Sequence, residues 1–402
     1  MAAQLHSRSF CGIFHLCILC LGRGREKLPL ESLGLTAEEM LQRRLRVQWA
    51  LRRAAPLAGL AMQLGGSSGS GSTAEDRGHC AGPEPVECEC YAPWRGPLCD
   101  RVDGSIARDY RSAIHYIVNE DDVHLAELRH SLRNLWKHFN SRYDHPVQIF
   151  HDGLTDETRA SIVRTSPNRI WFHRLPEDFV PPASQLPQDL LVEDTERTVS
   201  HHTFSVGYRA QCRFRSGPLF EHPAVARLDY LMSLDTDSMF TEDVEMDPIE
   251  AMHQNKSLVL GYSHLMISNG AYMKGLWTAT QPYLTYRGLK LAKLLQQNWH
   301  FLSRFLVPYV GHHTQEVMYS NLVVMTDLEL LRISFFRPGS DYFRFYRYLD
   351  ELGGFWEHRW GDHAVRGLGA GIVYGCGALA ALEAFNKRSR PMRQRSLSWP
   401  TT

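Results

Sequence analysis

Two carboxylates one residue apart, in Leu234-Asp235-Thr236-Asp237-Ser238, follow an apolar run over 228–234 that reads as a buried strand. Carboxylates at a strand end or turn can approach one cation together while the sheet fixes their position. Hard oxygen ligands suit Mg²⁺ or Mn²⁺, which takes one or two carboxylates and fills its shell with substrate phosphates and water. Bound there, such an ion acts as a Lewis acid on a departing phosphate. The same triplet is common in surface turns, so the pattern alone leaves a plain turn open.

Other residues carry less specific signals. The adjacent pairs His201-His202 and His312-His313 point different ways on any regular element and fit solvated loops better than ligand pairs. Arg213 and Arg359 can clamp a diphosphate, or pair internally with a carboxylate such as Asp229 or Glu357. Phe355, Trp356 and Trp360 suit stacking on a sugar or base and core packing equally. Asn255-Lys256-Ser257 is an acceptor pattern for N-glycosylation, meaningful in a chain that enters the lumen.

These side chains need a scaffold, and residues 105–382 supply one. Strand patterns occur at 114–118, 147–150, 169–172 and 228–234, and residues 123–139 read as a helix with Leu125, Leu128, Leu132 and Leu135 on one face. Strands alternating with helices predict an α/β fold with a mainly parallel, Rossmann-like sheet flanked by helices. Ligands in such folds bind beyond the carboxyl ends of the strands, where Asp235 and Asp237 stand. The 402 residues, 44% hydrophobic, suffice for one large domain with appendages. Lysine plus arginine (44) equals aspartate plus glutamate (44), so no global field points to nucleic acid, and charge-based function is local.

The flanks are composite. Residues 1–30 hold an apolar run, Phe10 to Leu21, that reads as a signal peptide or short membrane anchor. It falls short of the roughly 20 residues a span needs, and Arg23, Arg25 and Lys27 beyond it oppose a luminal orientation. A helical stalk over 31–64 and a Gly/Ser tether over 65–79 follow, and residues 383–402 form a basic tail with the composition of a disordered segment. Four of the nine cysteines, Cys80, Cys88, Cys90 and Cys99, crowd into 80–100, which implies an oxidising compartment and the secretory route. A zinc site competes, although one residue rather than two to four separates Cys88 from Cys90.

The run from Cys88 to Cys99, with Trp94 and Gly96 in the loop closed by the last cysteine pair, resembles the C-terminal half of an EGF-like module. That resemblance implies Cys90 paired with Cys99 and Cys80 with Cys88. Because the Gly/Ser tether precedes it and the strand and helix alternation begins only near Ile114, the fragment is expected to be dispensable for catalysis. A second resemblance covers about 114–372. The block Tyr208-Arg209-Ala210-Gln211-Cys212-Arg213-Phe214-Arg215-Ser216-Gly217 with Glu221-His222-Pro223, then Asp229-Tyr230 and the acidic triplet, is similar to the fungal α-1,2-mannosyltransferases of glycosyltransferase family 15. Tyr319-Ser320-Asn321 and the run from Tyr348 to Asp362 match two further blocks in order. The resemblance implies the GT-A fold, GDP-mannose as donor, Mn²⁺, a glycan, glycoprotein or glycolipid acceptor, and a place at the Golgi membrane or in its lumen.

Residue by residue, it implies a metal site at Asp235 and Asp237 and a donor pocket containing Tyr208 and Asn321. Three positions depart from the family. Its presumed nucleophile falls at Val323 and an arginine at Val118, and its metal-binding histidine falls at Arg366, although His363 three residues earlier could serve as the metal ligand from a neighbouring turn. A retaining double displacement needs a carboxylate on the far face of the sugar, which valine cannot provide. Glu316 or Asp362 could substitute, a front-face route could operate, or activity could be lost. Arg366 cannot coordinate a cation but could bind the diphosphate as a forked donor. Two further readings stay open: another donor such as UDP-galactose, and a catalytically silent carbohydrate-binding protein.

Overall fold

The computed structural model describes residues 77–81, 87–104, 106–187, 205–288, 306–310, 315–375 and 378–382. The signal or anchor segment, the stalk, nearly all of the tether, the basic tail and both histidine pairs lie outside them.

Two small ladders come first: β1 (Gly78–Ala81) with β2 (Glu87–Cys90), and β3 (Trp94–Arg95) with β4 (Arg101–Val102), both antiparallel. The large domain then runs β5 (Ser112–Val118), α1 (Asp122–Leu135), β6 (Val147–His151), α2 (Asp156–Val163), β7 (Ile170–Arg174), α3 (Val206–Ser216) and β8 (Tyr230–Leu234). It continues with α4 (Pro248–Gln254), β9 (Leu260–Tyr262), β10 (Leu265–Ile267), α5 (Leu276–Tyr286), β11 (Leu306–Val310), β12 (Gln315–Tyr319) and β13 (Leu322–Val324). β14 (Leu328–Arg332), α6 (Asp341–Glu351), α7 (Asp362–Tyr374) and β15 (Leu379–Ala381) complete it. Seven strands form the main sheet in the order β15-β9-β14-β8-β5-β6-β7. Only β14 runs against its neighbours, so the expected mainly parallel α/β sheet is present.

Local chemistry explains these elements. Asp121 caps α1 by accepting from the amides of Val123 and His124, and Leu125, Leu128, Leu132 and Leu135 are buried along the face that the spacing predicts. That face joins Ile114, Tyr116, Val147, Ile149, Met232 and Leu234 in one apolar cluster. Across the sheet α3, α6 and α7 form the second layer. Gly217, just past α3, sits so close to Tyr346 that a Cβ would lie 1.8 Å from the ring, which fixes glycine where α3 meets α6.

The cysteine-rich segment is covalently closed by Cys90–Cys99. Cys80 stands opposite Cys88 in the β1–β2 register, but its side chain lies outside the described residues. Sequence reasoning makes this segment separable from the large domain, whereas here it docks on edge strand β7. Glu89 holds the buried His173 at 2.7 Å, Trp171 donates its indole N–H to the Trp94 carbonyl at 2.9 Å, and the Arg95 guanidinium lies 4.0 Å over the Trp171 ring. The physical reason is local: β7 alternates outward the two residues, Trp171 and His173, that need a cover on that face. Burial works to raise the Glu89 carboxyl, but the His173 hydrogen bond and charge hold it below its ordinary value. Docking is therefore strongest above the ordinary carboxylate range and weakens as pH falls through the lowered value.

A chain beginning at Gly104 should lose stability, and Glu89→Gln alone should cost about 1–2 kcal/mol, the scale of one charge-assisted hydrogen bond. Chemical denaturation measures both. Unchanged stability of the shorter chain would show that the segment rests on β7 without contributing to the fold.

Candidate donor-binding site

All five residues of β8 are buried, and the chain emerges at its carboxyl end directly into Asp235. The turn that follows is pinned on several sides. The Asp235 amide donates to the Asp327 carbonyl at 3.0 Å, the Ser238 amide closes back onto the Asp235 carbonyl at 3.0 Å, and the Ser238 hydroxyl reaches the Asp327 carbonyl at 2.9 Å. From α1, Ser131 donates to the Ser238 carbonyl at 2.8 Å. The acidic pair is thus presented by a rigid strand end.

Its two carboxylates differ. Asp235 retains 35% side-chain exposure and ion-pairs with Arg215 at 2.6 Å. Burial pushes its carboxyl up to about 6, Arg215 opposes the rise, and nearby Asp362 and Asp327 add to it. Asp237 has no ion-pair partner among the described residues. Its carboxyl is raised by burial and then by Glu127 and Asp327, like charges that make a cation welcome. Thr236 between them donates to Glu127 at 3.2 Å.

Asp362 opens α7 and is buried. Burial would raise its carboxyl, but Arg215, then His363 and Arg366, hold it well below the usual range. Arg215 lies 3.4 Å from its carboxylate and His363 3.8 Å, so the structure brings Asp235, Asp362 and His363 into one neighbourhood around Arg215. Tyr208 on α3 accepts from Arg359 at 2.9 Å, and that guanidinium also lies 3.9 Å over the Tyr272 ring. Asn321 adopts a left-handed backbone (φ 61°) and its carbonyl accepts from Ser268 at 2.9 Å, bracing the antiparallel β10–β13 ladder. Val323 is 0% exposed in β13, opposite Met266. Glu316 lies in β12 opposite Tyr309, and its side chain falls outside the described residues. Asn255 is exposed at the end of α4, where it accepts from the Ser257 hydroxyl at 2.7 Å.

Two expected donor-binding arginines stand elsewhere. Arg366 is 0% exposed, pairs with Glu329 at 3.2 Å and donates to the Arg215 carbonyl at 2.7 Å, walled by the rings of Phe220, Phe336 and Tyr342. A guanidinium so enclosed neutralises a buried carboxylate; it does not reach a diphosphate. Arg213 is held in a two-bond fork by Asp350 at 2.7 and 2.9 Å, a partner other than Asp229 or Glu357. Phe355, Trp356 and Trp360 are buried and serve as core. Arg215 escapes sequence reasoning, although it sits two residues from Arg213 and so projects from the opposite side of α3. Glu329, the one carboxylate inside the buried run of β14, signals that a cation must meet it.

No three His, Cys, Asp or Glu side chains converge among the described residues. The two carboxylates of the triplet are of the donor type that suits a hard cation taking its remaining ligands from a diphosphate and water.

A parallel sheet with a rigid acidic triplet at a central strand end is the GT-A arrangement of nucleotide-sugar transferases. The sequence profile described as glycolipid 2-alpha-mannosyltransferase matches residues 96–378, and the chain belongs to that family. The O-glycoside alpha-1,2-mannosyltransferase omh1 of Schizosaccharomyces pombe is 22% identical over 258 residues, 63% of this chain and 62% of that protein. Homolog 4 from the same yeast is 25% identical over 282 residues, 60% of this chain and 61% of that protein. The chain thus spans about three-fifths of the length of these relatives. Among solved structures, core-mannan synthase A of Aspergillus fumigatus in its Mn/GDP form superposes with a TM-score of 0.56 at 19% identity, over 78% of this chain and 86% of that one. At that identity the likeness is one of fold.

Arg366→Ala should destabilise the protein by about 3–5 kcal/mol by stranding the Glu329 charge, and adding Glu329→Gln should recover part of the loss. Denaturant melts provide the measurement. Parental stability with a selectively raised donor KM would return Arg366 to the diphosphate.

Proposed function

We propose that the chain transfers mannose from GDP-mannose to a hydroxyl of a glycan, glycoprotein or glycolipid, with retention and an α-1,2 linkage. The observation that carries this reading is the rigid acidic turn at the carboxyl end of β8 in a member of this family. The relatives named as α-1,2-mannosyltransferases and the neighbour holding manganese and GDP support the donor and the ion. Asp237 and Asp235 would hold Mn²⁺, which when bound would neutralise charge on the departing diphosphate.

The residues favour a front-face route. Val323 is buried and apolar, and Asp362 is ionised but clamped by Arg215, so neither offers a free carboxylate for the far face of the sugar. On this route the bond from the sugar C1 to the phosphate oxygen breaks, the bond from C1 to the acceptor oxygen forms on the same face, and the acceptor proton passes to the departing diphosphate. Tyr208, braced by Arg359, lies on the Asp362 side of the site and orients the donor.

The organisation we infer keeps the N-terminal 1–30 signal or anchor, the 31–64 stalk, the 65–79 tether and the 105–382 catalytic region, with the cysteine-rich segment docked on that region. The Cys90–Cys99 bond supports a secretory, Golgi-luminal setting, in which exposed Asn255 would be available for glycosylation. Among the described residues no helix is long and apolar enough to cross a membrane.

Purified protein offered a panel of nucleotide sugars with Mn²⁺ should hydrolyse and transfer from GDP-mannose in preference to UDP-galactose. Preference for a uridine donor would replace the donor assignment, and silence toward all of them would support the binding-protein reading. Asp237→Asn should weaken Mn²⁺-dependent GDP binding by about 100-fold or more while leaving the melting temperature near the parent's, read by calorimetry. Equal binding by Asp237→Asn would reduce the triplet to a turn.

A further inference from the structure

Behind the acidic triplet the protein carries a cation of its own. Arg215, in the last turn of α3, has only 5% side-chain exposure. Its Nη1 lies 2.6 Å from Asp235 Oδ1, its Nε 3.4 Å from Asp362 Oδ2, and its Nη2 donates to the Thr326 carbonyl. The remaining buried carboxylate, Glu329, lies 3.9 Å from Arg215 and is answered at 3.2 Å by Arg366. Arg366 also holds the Arg215 backbone carbonyl at 2.7 Å, and the fork cannot swing away from Asp235 without losing its own buried contact to the Thr326 carbonyl. Of these five charges only Asp235 reaches solvent appreciably.

We propose that Arg215 is a positioning residue that acts as a permanent counter-ion to Asp235. It occupies one carboxylate oxygen, fixes the direction of the other, and lowers the affinity of the empty triplet for a divalent cation. The physical argument is charge repulsion. An ion on the outer oxygen of Asp235 sits one carboxylate away from a guanidinium that has little water to screen it, and Asp235 has already given much of its negative charge to that partner. Asp237 is then the carboxylate of the triplet left to attract the ion, and one such ligand holds Mn²⁺ weakly without a diphosphate to complete the shell. The cation therefore arrives with the donor and leaves with the nucleotide product. This inference rests on the reading of the triplet as the donor site.

The test uses the full chain and Mn²⁺ alone, followed by paramagnetic resonance of the free ion and by melting temperature. Arg215→Met should bind Mn²⁺ about 10-fold more tightly than the parent without nucleotide, within the usual range of coupling between two sites. Added Mn²⁺ should also raise its melting temperature more than the parent's. Arg215→Lys, which keeps the charge, should stay close to the parent in Mn²⁺ affinity. Adding Asp237→Asn to Arg215→Met should remove the gain. If Arg215→Met is unfolded in chelator, refolding on titration with Mn²⁺ supports the proposal, and failure to fold at any Mn²⁺ concentration overturns it. Arg215→Met that folds and binds Mn²⁺ no more tightly, while the parent still takes up Mn²⁺ with GDP, overturns this proposal alone. A parent that takes up no Mn²⁺ even with GDP overturns it together with the donor-site reading.

Discussion

Glu329 and Arg366 face one another fully buried, and the site depends on that pair. A lone carboxylate in the middle of a central strand would be untenable, so α7 must deliver a guanidinium to β14. Once it does, the N-terminus of α7 is fixed beside α3, which places Asp362 and His363 next to Arg215. Arg215 is then released from Glu329 and committed to Asp235 and Asp362. Arg366, where the resemblance implies a metal-binding histidine, instead forms part of the buried charge network beneath the triplet.

That exchange clarifies what kind of reaction centre is left. Val323 is packed in the β10–β13 ladder, and among the described residues Asp235 and Asp362 are ion-paired while Asp237 faces like charge. On the proposed reading, such a centre would stabilise charge on a leaving group and orient a donor, and retention would proceed without a protein nucleophile.

Much of this architecture was legible in the chain. The strands at 114–118, 147–150, 169–172 and 228–234 reappear with ends shifted by one or two residues, because apolar runs bounded by polar turns have few other folds open to them. The leucines of α1 lie on the face their spacing predicts, and the acidic triplet ends its strand as expected. What could not be read were pairings across long separations. The insertion of β14 between β8 and β9, the capture of Arg213 by Asp350 and the burial of Arg366 against Glu329 all join residues far apart in sequence. Periodicity reports which side of an element is apolar; it does not report which charge waits on the other side.

The docked cysteine-rich segment bears on how the molecule is made. Its bonds to β7 join residues 84 and 77 positions apart, so the part synthesised first has nowhere to bind until three parallel strands have been laid down beside one another. Contacts of such long reach form late, after the entropy of closing the intervening loop has been met. A nascent chain therefore holds a closed cysteine loop in waiting while Trp171 and His173 lie open to solvent. The segment leaves the ribosome before β7 does, and until it docks the outer strand of the sheet stays uncovered.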